Sequence, residues 1–266
     1  MTSLARAELL SELKDRIRQI ERSHRPVKEA TTPGTILDSL LPGQGLARGT
    51  LVEWLSEGEG TGAATLALAV AVQLLHDGGA LVVIDSQREF YPPAAAGLGI
   101  PLERTVIIRP ERARDALWAW EQSLRSRAVT VALSWIEKLD DRGFRRLQLA
   151  AETGGSLGFL LRPVSCRTDP SWAEARLLVE ALPVVQPGKV TRRQGDKVMK
   201  RTPSVTFPHP VTLSSCARRL RVEVLHCRGG AGGAAVELEM SDETGDVRLV
   251  SELAHPASPS RAAGAS

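Results

Sequence analysis

Apolar positions in this chain follow two rhythms. Through the first two thirds, short apolar runs at residues 50–55, 80–85, 105–110, 129–136 and 155–162 predict strands. Between them lie segments with helical spacing: 64–75, almost wholly apolar; 114–127, with Leu117, Trp120 and Leu124 on one side; and 142–152, with Phe144, Leu147 and Ala151. Gly154 suits the C-terminal cap of the last. Apolar strands alternating with amphipathic helices predict an α/β fold, a mostly parallel sheet covered on both faces. From residue 176 the rhythm changes to strands without intervening helices, at 176–185, 219–227, 234–240 and 247–250, with turns at 228–233 and 242–245. This part is expected to be antiparallel.

The ends read differently. Leu10, Leu13, Ile17 and Ile20 form a narrow apolar stripe, so residues 1–25 are expected to hold an amphipathic helix. Residues 26–34 form a linker, and the stripe can lie on the same molecule or on a neighbour. Residues 36–41 are a short apolar segment closed by a Pro-Gly-Gln-Gly turn. The expected core spans 35–252 and is interrupted at 186–210 by a flexible loop rich in Pro, Gly and basic residues. Within that loop Lys189, Arg192, Arg193, Lys197, Lys200 and Arg201 face only Asp196. A solvated loop and a phosphate-backbone contact both fit such a run. Residues 253–266 read as a disordered tail.

Composition changes little. With 266 residues, 42% hydrophobic and 24% charged, the chain has ample length for a core, and its formal charge of +3 permits a nucleic-acid partner without requiring one. Cys166, Cys216 and Cys227 lie at no metal-ligand spacing, and no apolar leader precedes them, so a reducing cytoplasm and no metal are expected. No apolar run is long enough to span a bilayer.

The candidate chemistry lies where the first strand meets the first core helix, through Trp54-Leu-Ser-Glu-Gly-Glu-Gly-Thr-Gly-Ala-Ala-Thr65. A phosphate-binding loop, G-x-x-x-x-G-K-[ST], offers backbone N–H groups and a lysine to phosphates and a hydroxyl to Mg²⁺. Here Glu57 replaces the opening glycine, Ala63 the lysine and Ala64 the metal-binding hydroxyl, while Gly58, Gly60, Gly62 and Thr65 remain. The same glycines also fit a plain turn from strand to helix.

Beyond the loop, Val83-Ile-Asp-Ser-Gln87, Tyr91-Pro92 and Leu98-Gly-Ile100 follow at the spacing of the RecA pattern. The stretches Arg145-Arg-Leu-Gln-Leu-Ala-Ala-Glu152, Phe159-Leu-Leu-Arg-Pro163 and Arg219-Arg-Leu-Arg-Val-Glu-Val-Leu-His-Cys-Arg-Gly-Gly230 resemble the ImuA family, distant RecA relatives associated with translesion synthesis. The resemblance covers about residues 34–252 and implies a RecA-like P-loop core. It also implies that Gln87 stands where RecA-like ATPases carry the catalytic glutamate, and Ser134 or Trp135 where they carry the acidic group behind Mg²⁺. The expectation is a pseudo-ATPase without cofactor, an adaptor in error-prone translesion synthesis. Its implied partners are an inactive Y-family polymerase homologue of the ImuB type and an error-prone C-family DNA polymerase α subunit. Further copies of itself, RecA-like protomers and single-stranded DNA are additional candidates. For DNA, the resemblance points to Arg142, Arg145, Arg162 and Arg167, beside the counterparts of the RecA DNA loops, together with the basic run. Arg228 sits where RecA-like proteins reach a cation across a subunit interface. A surface or ion-paired role remains open for each arginine. A nucleotide-driven DNA-binding ATPase with a non-standard site and a SulA-like inhibitor of cell division are the alternatives.

Overall fold

Residues 51–55 and 81–84 are buried at every position, which in a strand requires cover on both faces. The computed structural model describes residues 37–38, 40–41, 45–58, 60–183, 217–230, 232–241 and 247–253, and meets that demand with one nine-stranded sheet. In chain order the elements are β1 (Leu51–Ser56), α1 (Ala63–Leu75), β2 (Ala80–Ile84), α2 (Pro92–Gly97), β3 (Thr105–Ile108), α3 (Ala113–Arg125), β4 (Val129–Trp135), α4 (Asp141–Gly154), β5 (Leu157–Pro163) and β6 (Ala175–Leu182). Then follow β7 (Ala217–Cys227), β8 (Ala235–Ser241) and β9 (Val247–Leu253). The sheet order is β3-β2-β4-β5-β1-β6-β7-β8-β9. All pairs from β3 to β6 are parallel, and those from β6 to β9 are antiparallel.

Two apolar layers hold the sheet. On one face Leu66, Val70 and Leu74 of α1 pack in a cluster with Val52, Trp54, Val83, Leu133 and Phe159, and Leu37, Leu41 and Leu46 join it. On the other, Trp120 and Leu124 of α3 and Phe144 and Leu147 of α4 cover Leu51, Ile84 and Leu160. Trp120 Nε1 donates to the Ala132 carbonyl at 3.1 Å, so its polar atom is satisfied within the apolar layer. Near 25 cal/mol per Å² of apolar surface, these layers are the main stabilising term.

The expected architecture is present, with local corrections. The helix over 141–154 is capped by Gly155, in the left-handed region at φ 76°, rather than by Gly154. Gly154 is the last residue of the helix, and only glycine fits there, since a Cβ would stand 2.0 Å from the Leu124 carbonyl oxygen. Helix α2 was not anticipated: its Pro-Pro-Ala-Ala-Ala-Gly sequence has no periodic stripe, but proline suits a first helical turn and Ala95 is buried beneath it. Strand β9 runs through Leu253, one residue into the expected tail. The amphipathic helix, the linker, Cys216, the loop 186–210 and the rest of the tail lie outside the described residues.

Candidate functional site

The loop after β1 turns tightly into α1. Gly60 and Gly62 are left-handed, at φ 75° and 88°, and Gly62 is the N-terminal cap residue of α1. Its carbonyl accepts from Leu66 N at 2.8 Å, so helical bonding starts at once, and a turn this tight needs residues without Cβ. A Cβ on Gly62 would meet Leu220 Cδ2 of β7 at 3.0 Å, so the loop is packed from below by the antiparallel part of the sheet. No acidic side chain occupies the first turn of α1, and no side chain caps it. Ala63 is buried.

A cavity of about 430 Å³ opens above the loop. Gly58, Gly60, Gly62, Ala63, Ala64 and Thr65 line it, and Gln87 and Trp135 reach it from the ends of β2 and β4. These predicted residues are therefore brought together. Two are not: Glu57 is exposed outside the lining, and Ser134 is buried within the sheet, donating to the Ile84 carbonyl at 3.2 Å. Glu89 and Glu137 line the cavity as well, alongside Arg162 and Arg218. Asp85 holds the turn that carries Gln87. Its buried carboxylate accepts from Glu89 N at 2.7 Å and Phe90 N at 3.4 Å, and pairs with Arg109 at 3.2 Å.

Beneath this site lies a buried ionic network. Glu53 of β1 has no exposed surface, and its carboxylate accepts from Arg162 Nη1 of β5 at 2.7 Å, from Arg176 Nε of β6, and from Ser171 Oγ at 2.7 Å. Arg162 Nη2 donates to Asp169 at 3.0 Å and to the Glu137 carbonyl at 3.0 Å. Arg176 Nη1 donates to the Arg167 carbonyl at 2.7 Å and the Asp169 carbonyl at 3.0 Å. Register explains the arrangement, since Glu53 stands directly opposite Arg176 across the β1–β6 ladder. The network fastens the segment between β5 and β6 onto the sheet. A glutamate inside an otherwise apolar strand was the sequence signal for it, and it was passed over.

The RecA N-terminal domain model matches residues 13–136. Protein ImuA of Caulobacter vibrioides is 30% identical over 245 residues, covering 88% of this chain and 92% of that protein. The chain belongs to the ImuA family. A Protein RecA from Rhodopirellula baltica is 31% identical over 103 residues, covering 39% of this chain and 27% of that protein. A Cell division inhibitor SulA from Photorhabdus laumondii is 33% identical over 78 residues, covering 29% of this chain and 44% of that protein. ImuA membership and the RecA-like domain together assign a role in the DNA-damage response and mutagenesis.

In this ImuA-family chain the arginines expected at DNA separate by environment. Arg162 is withdrawn from that set: its side chain is fully buried and divided between Glu53 and Asp169. Arg142, Arg145 and Arg167 are exposed. Arg145 stacks over the Trp172 ring, 5.3 Å from its centroid, and Trp172 Nε1 donates to Asp141. Arg228 is half-buried, with its backbone N–H bonded to the Glu174 carbonyl at 2.7 Å. Arg192, Arg193, Lys197, Lys200 and Arg201 lie outside the described residues.

The two described cysteines are buried free thiols. Burial pushes the Cys166 thiol up, partly countered by the Arg162 guanidinium. Burial and the Glu174 charge push Cys227 up to about 12, which makes it a poor nucleophile at neutral pH. Among the described residues no group of three or more His, Cys, Asp or Glu is placed to hold a metal ion, and no helix is long and apolar enough to cross a membrane.

Proposed function

We propose that this chain is a non-catalytic, cytoplasmic adaptor in error-prone translesion DNA synthesis, acting through contacts with polymerase partners. The partners in this reading are an inactive Y-family polymerase homologue of the ImuB type and an error-prone C-family DNA polymerase α subunit. One observation carries it. Left-handed Gly60 and Gly62 turn β1 into α1 against Leu220, and the cavity above them is lined by Ala63, Ala64 and Gln87, which in this reading replace the groups with which a RecA-like ATPase holds and activates a nucleotide.

The residues present do not fit Mg-ATP. A charged hydrogen bond contributes about 1.5–3 kcal/mol, so loss of the lysine alone weakens nucleotide binding roughly ten- to a hundredfold. Ala64 offers no oxygen to a metal, and the cavity a triphosphate would enter is lined by Glu89 and Glu137 as well as by Arg218 and the ion-paired Arg162. Phosphoryl transfer depends on positioning and charge neutralisation by these same groups, so hydrolysis is the harder property to retain.

Two measurements test this reading. Titration with a fluorescent ATP analogue and Mg²⁺, with and without single-stranded DNA, is expected to show no binding at millimolar nucleotide and only background phosphate release. Micromolar binding would instead favour the ATPase with a non-standard site. Co-purification from the source cell is expected to yield a complex with the ImuB-type partner; absence of that complex would sink the adaptor. The SulA likeness supports a second reading, tested by overexpression: filamentation with a direct effect on division-protein assembly would favour it.

A further inference from the structure

A second and larger crevice, about 920 Å³, lies beside the loop cavity and shares Gln87, Trp135, Ile136 and Glu137 with it. Its position follows from topology. Strands β2 and β4 are neighbours, but the chain leaves β2 toward α2 on the α1 face and leaves β4 toward α4 on the opposite face. Connections that diverge from adjacent parallel strands leave a crevice at their carboxyl ends, where open α/β sheets bind ligands. Its volume is at the upper end of the range that buries a drug-sized molecule, enough for several side chains.

The lining has a definite character. Leu117, Trp135, Ile136 and Leu139 supply an apolar floor. Around it stand five carboxylates, Glu111, Glu137, Asp140, Asp141 and Asp169, against three cations, Arg112, Arg114 and Lys138. This is an acidic neighbourhood in a chain whose formal charge is +3. Three of the carboxylates are anchored: Asp140 accepts from Gly143 N, Asp141 from Trp172 and Asp169 from Arg162. Glu111 and Glu137 are exposed.

We propose that this crevice is a docking site for a short basic segment of a partner protein, with one or two large apolar side chains on the floor and Lys or Arg against the rim. The proposal rests on the adaptor reading for taking a protein segment as the occupant. The charge balance disfavours a nucleic-acid strand here, whose phosphates would meet Glu111 and Glu137, and a purely apolar ligand would leave the rim unused.

The test selects a phage-displayed library of random dodecapeptides on the full-length protein and measures the recovered peptides by fluorescence anisotropy. Enrichment of apolar anchors flanked by Arg or Lys is expected, with affinity falling as salt rises and at least about tenfold in Glu111→Lys/Glu137→Lys. Both positions are exposed, so an unchanged thermal melt should accompany the loss. Leu139→Ala should weaken the same peptides without altering their salt dependence. No enrichment, acidic or uncharged peptides, affinities unchanged by the rim variant, or displacement of peptide by a single-stranded oligonucleotide would each overturn the proposal. The outcomes separate from those of the adaptor reading. A partner complex that survives in the rim variant while selection fails removes the docking site alone; loss of any complex with the intact chain removes the adaptor, and the selection still judges the crevice.

Discussion

Replacing Glu53 by alanine should damage this protein more than any single change on its surface. The substitution removes the carboxylate that accepts from both Arg162 and Arg176, leaving two buried guanidiniums with Asp169, whose side chain is 46% exposed, as their nearest countercharge. Removing one partner of a buried pair costs about 3–5 kcal/mol, because the remaining charge stays desolvated. With two cations left behind, we expect the upper end, a loss of about 5 kcal/mol out of a total of about 5–15. In a thermal melt this is about 10–20 °C for a domain of this size. Urea unfolding measures the loss directly. A triple replacement, Glu53→Leu with Arg162→Met and Arg176→Met, should stay within about 2 kcal/mol of the parent, since removing all the charges removes the desolvation penalty too. Thiol labelling adds a local readout. Cys166 now donates to the Glu137 carbonyl at 3.3 Å from within the segment that Arg162 and Arg176 fasten, so its labelling in a Cys216→Ser/Cys227→Ser background should accelerate when Glu53 is lost. A loss below about 1 kcal/mol in Glu53→Ala would refute the reasoning, because water would then be reaching the guanidiniums.

The loop makes its own predictions. Gly62→Ala should cost about 1–3 kcal/mol in urea unfolding, from strain at φ 88° and the approach to Leu220, whereas Gly58→Ala, with open space around it, should be silent. Gly154→Ala should cost about 3 kcal/mol or more, because its Cβ would meet the Leu124 carbonyl at 2.0 Å; a mild effect would place the helices further apart than described. Asp85→Ala should cost about 2–3 kcal/mol by leaving the N–H groups of Glu89 and Phe90 and the Arg109 guanidinium without their acceptor, and proteolysis should quicken at the turn carrying Gln87. The Cys227 thiol holds its proton more tightly folded than unfolded, so its contribution is whole below the ordinary thiol range and is lost as pH rises toward about 12. Stability measured against pH should therefore fall by up to about 1.4 kcal/mol per unit above about pH 9, and Cys227→Ala should flatten that slope.

The order of elements and the switch from parallel to antiparallel strands were legible in the chain, because each depends on residues adjacent in sequence. Periodicity shows which stretch is strand or helix, and glycines at Gly60 and Gly62 show where a strand must turn sharply into a helix. The reading of Ala63 and Ala64 rests on the spacing of the loop motif, and that of Gln87 on the resemblance to RecA-like proteins. Boundaries were less secure: Gly154 and Gly155 are both helix-ending residues by type, and it is Gly155 that takes the left-handed conformation, at φ 76°, while Gly154 stays in the helix close against the Leu124 carbonyl. Arg162 is a candidate DNA contact by resemblance, with a surface or ion-paired role open beside it, because an arginine at a strand end has two faces to choose from and the sequence does not say what covers either. The tertiary structure settled that choice by placing Glu53 against arginines 109 and 123 residues away in sequence. The crevice between β2 and β4 is equally nonlocal. It exists because two adjacent strands send their connections to opposite faces, a relation that appears only once the sheet order is known.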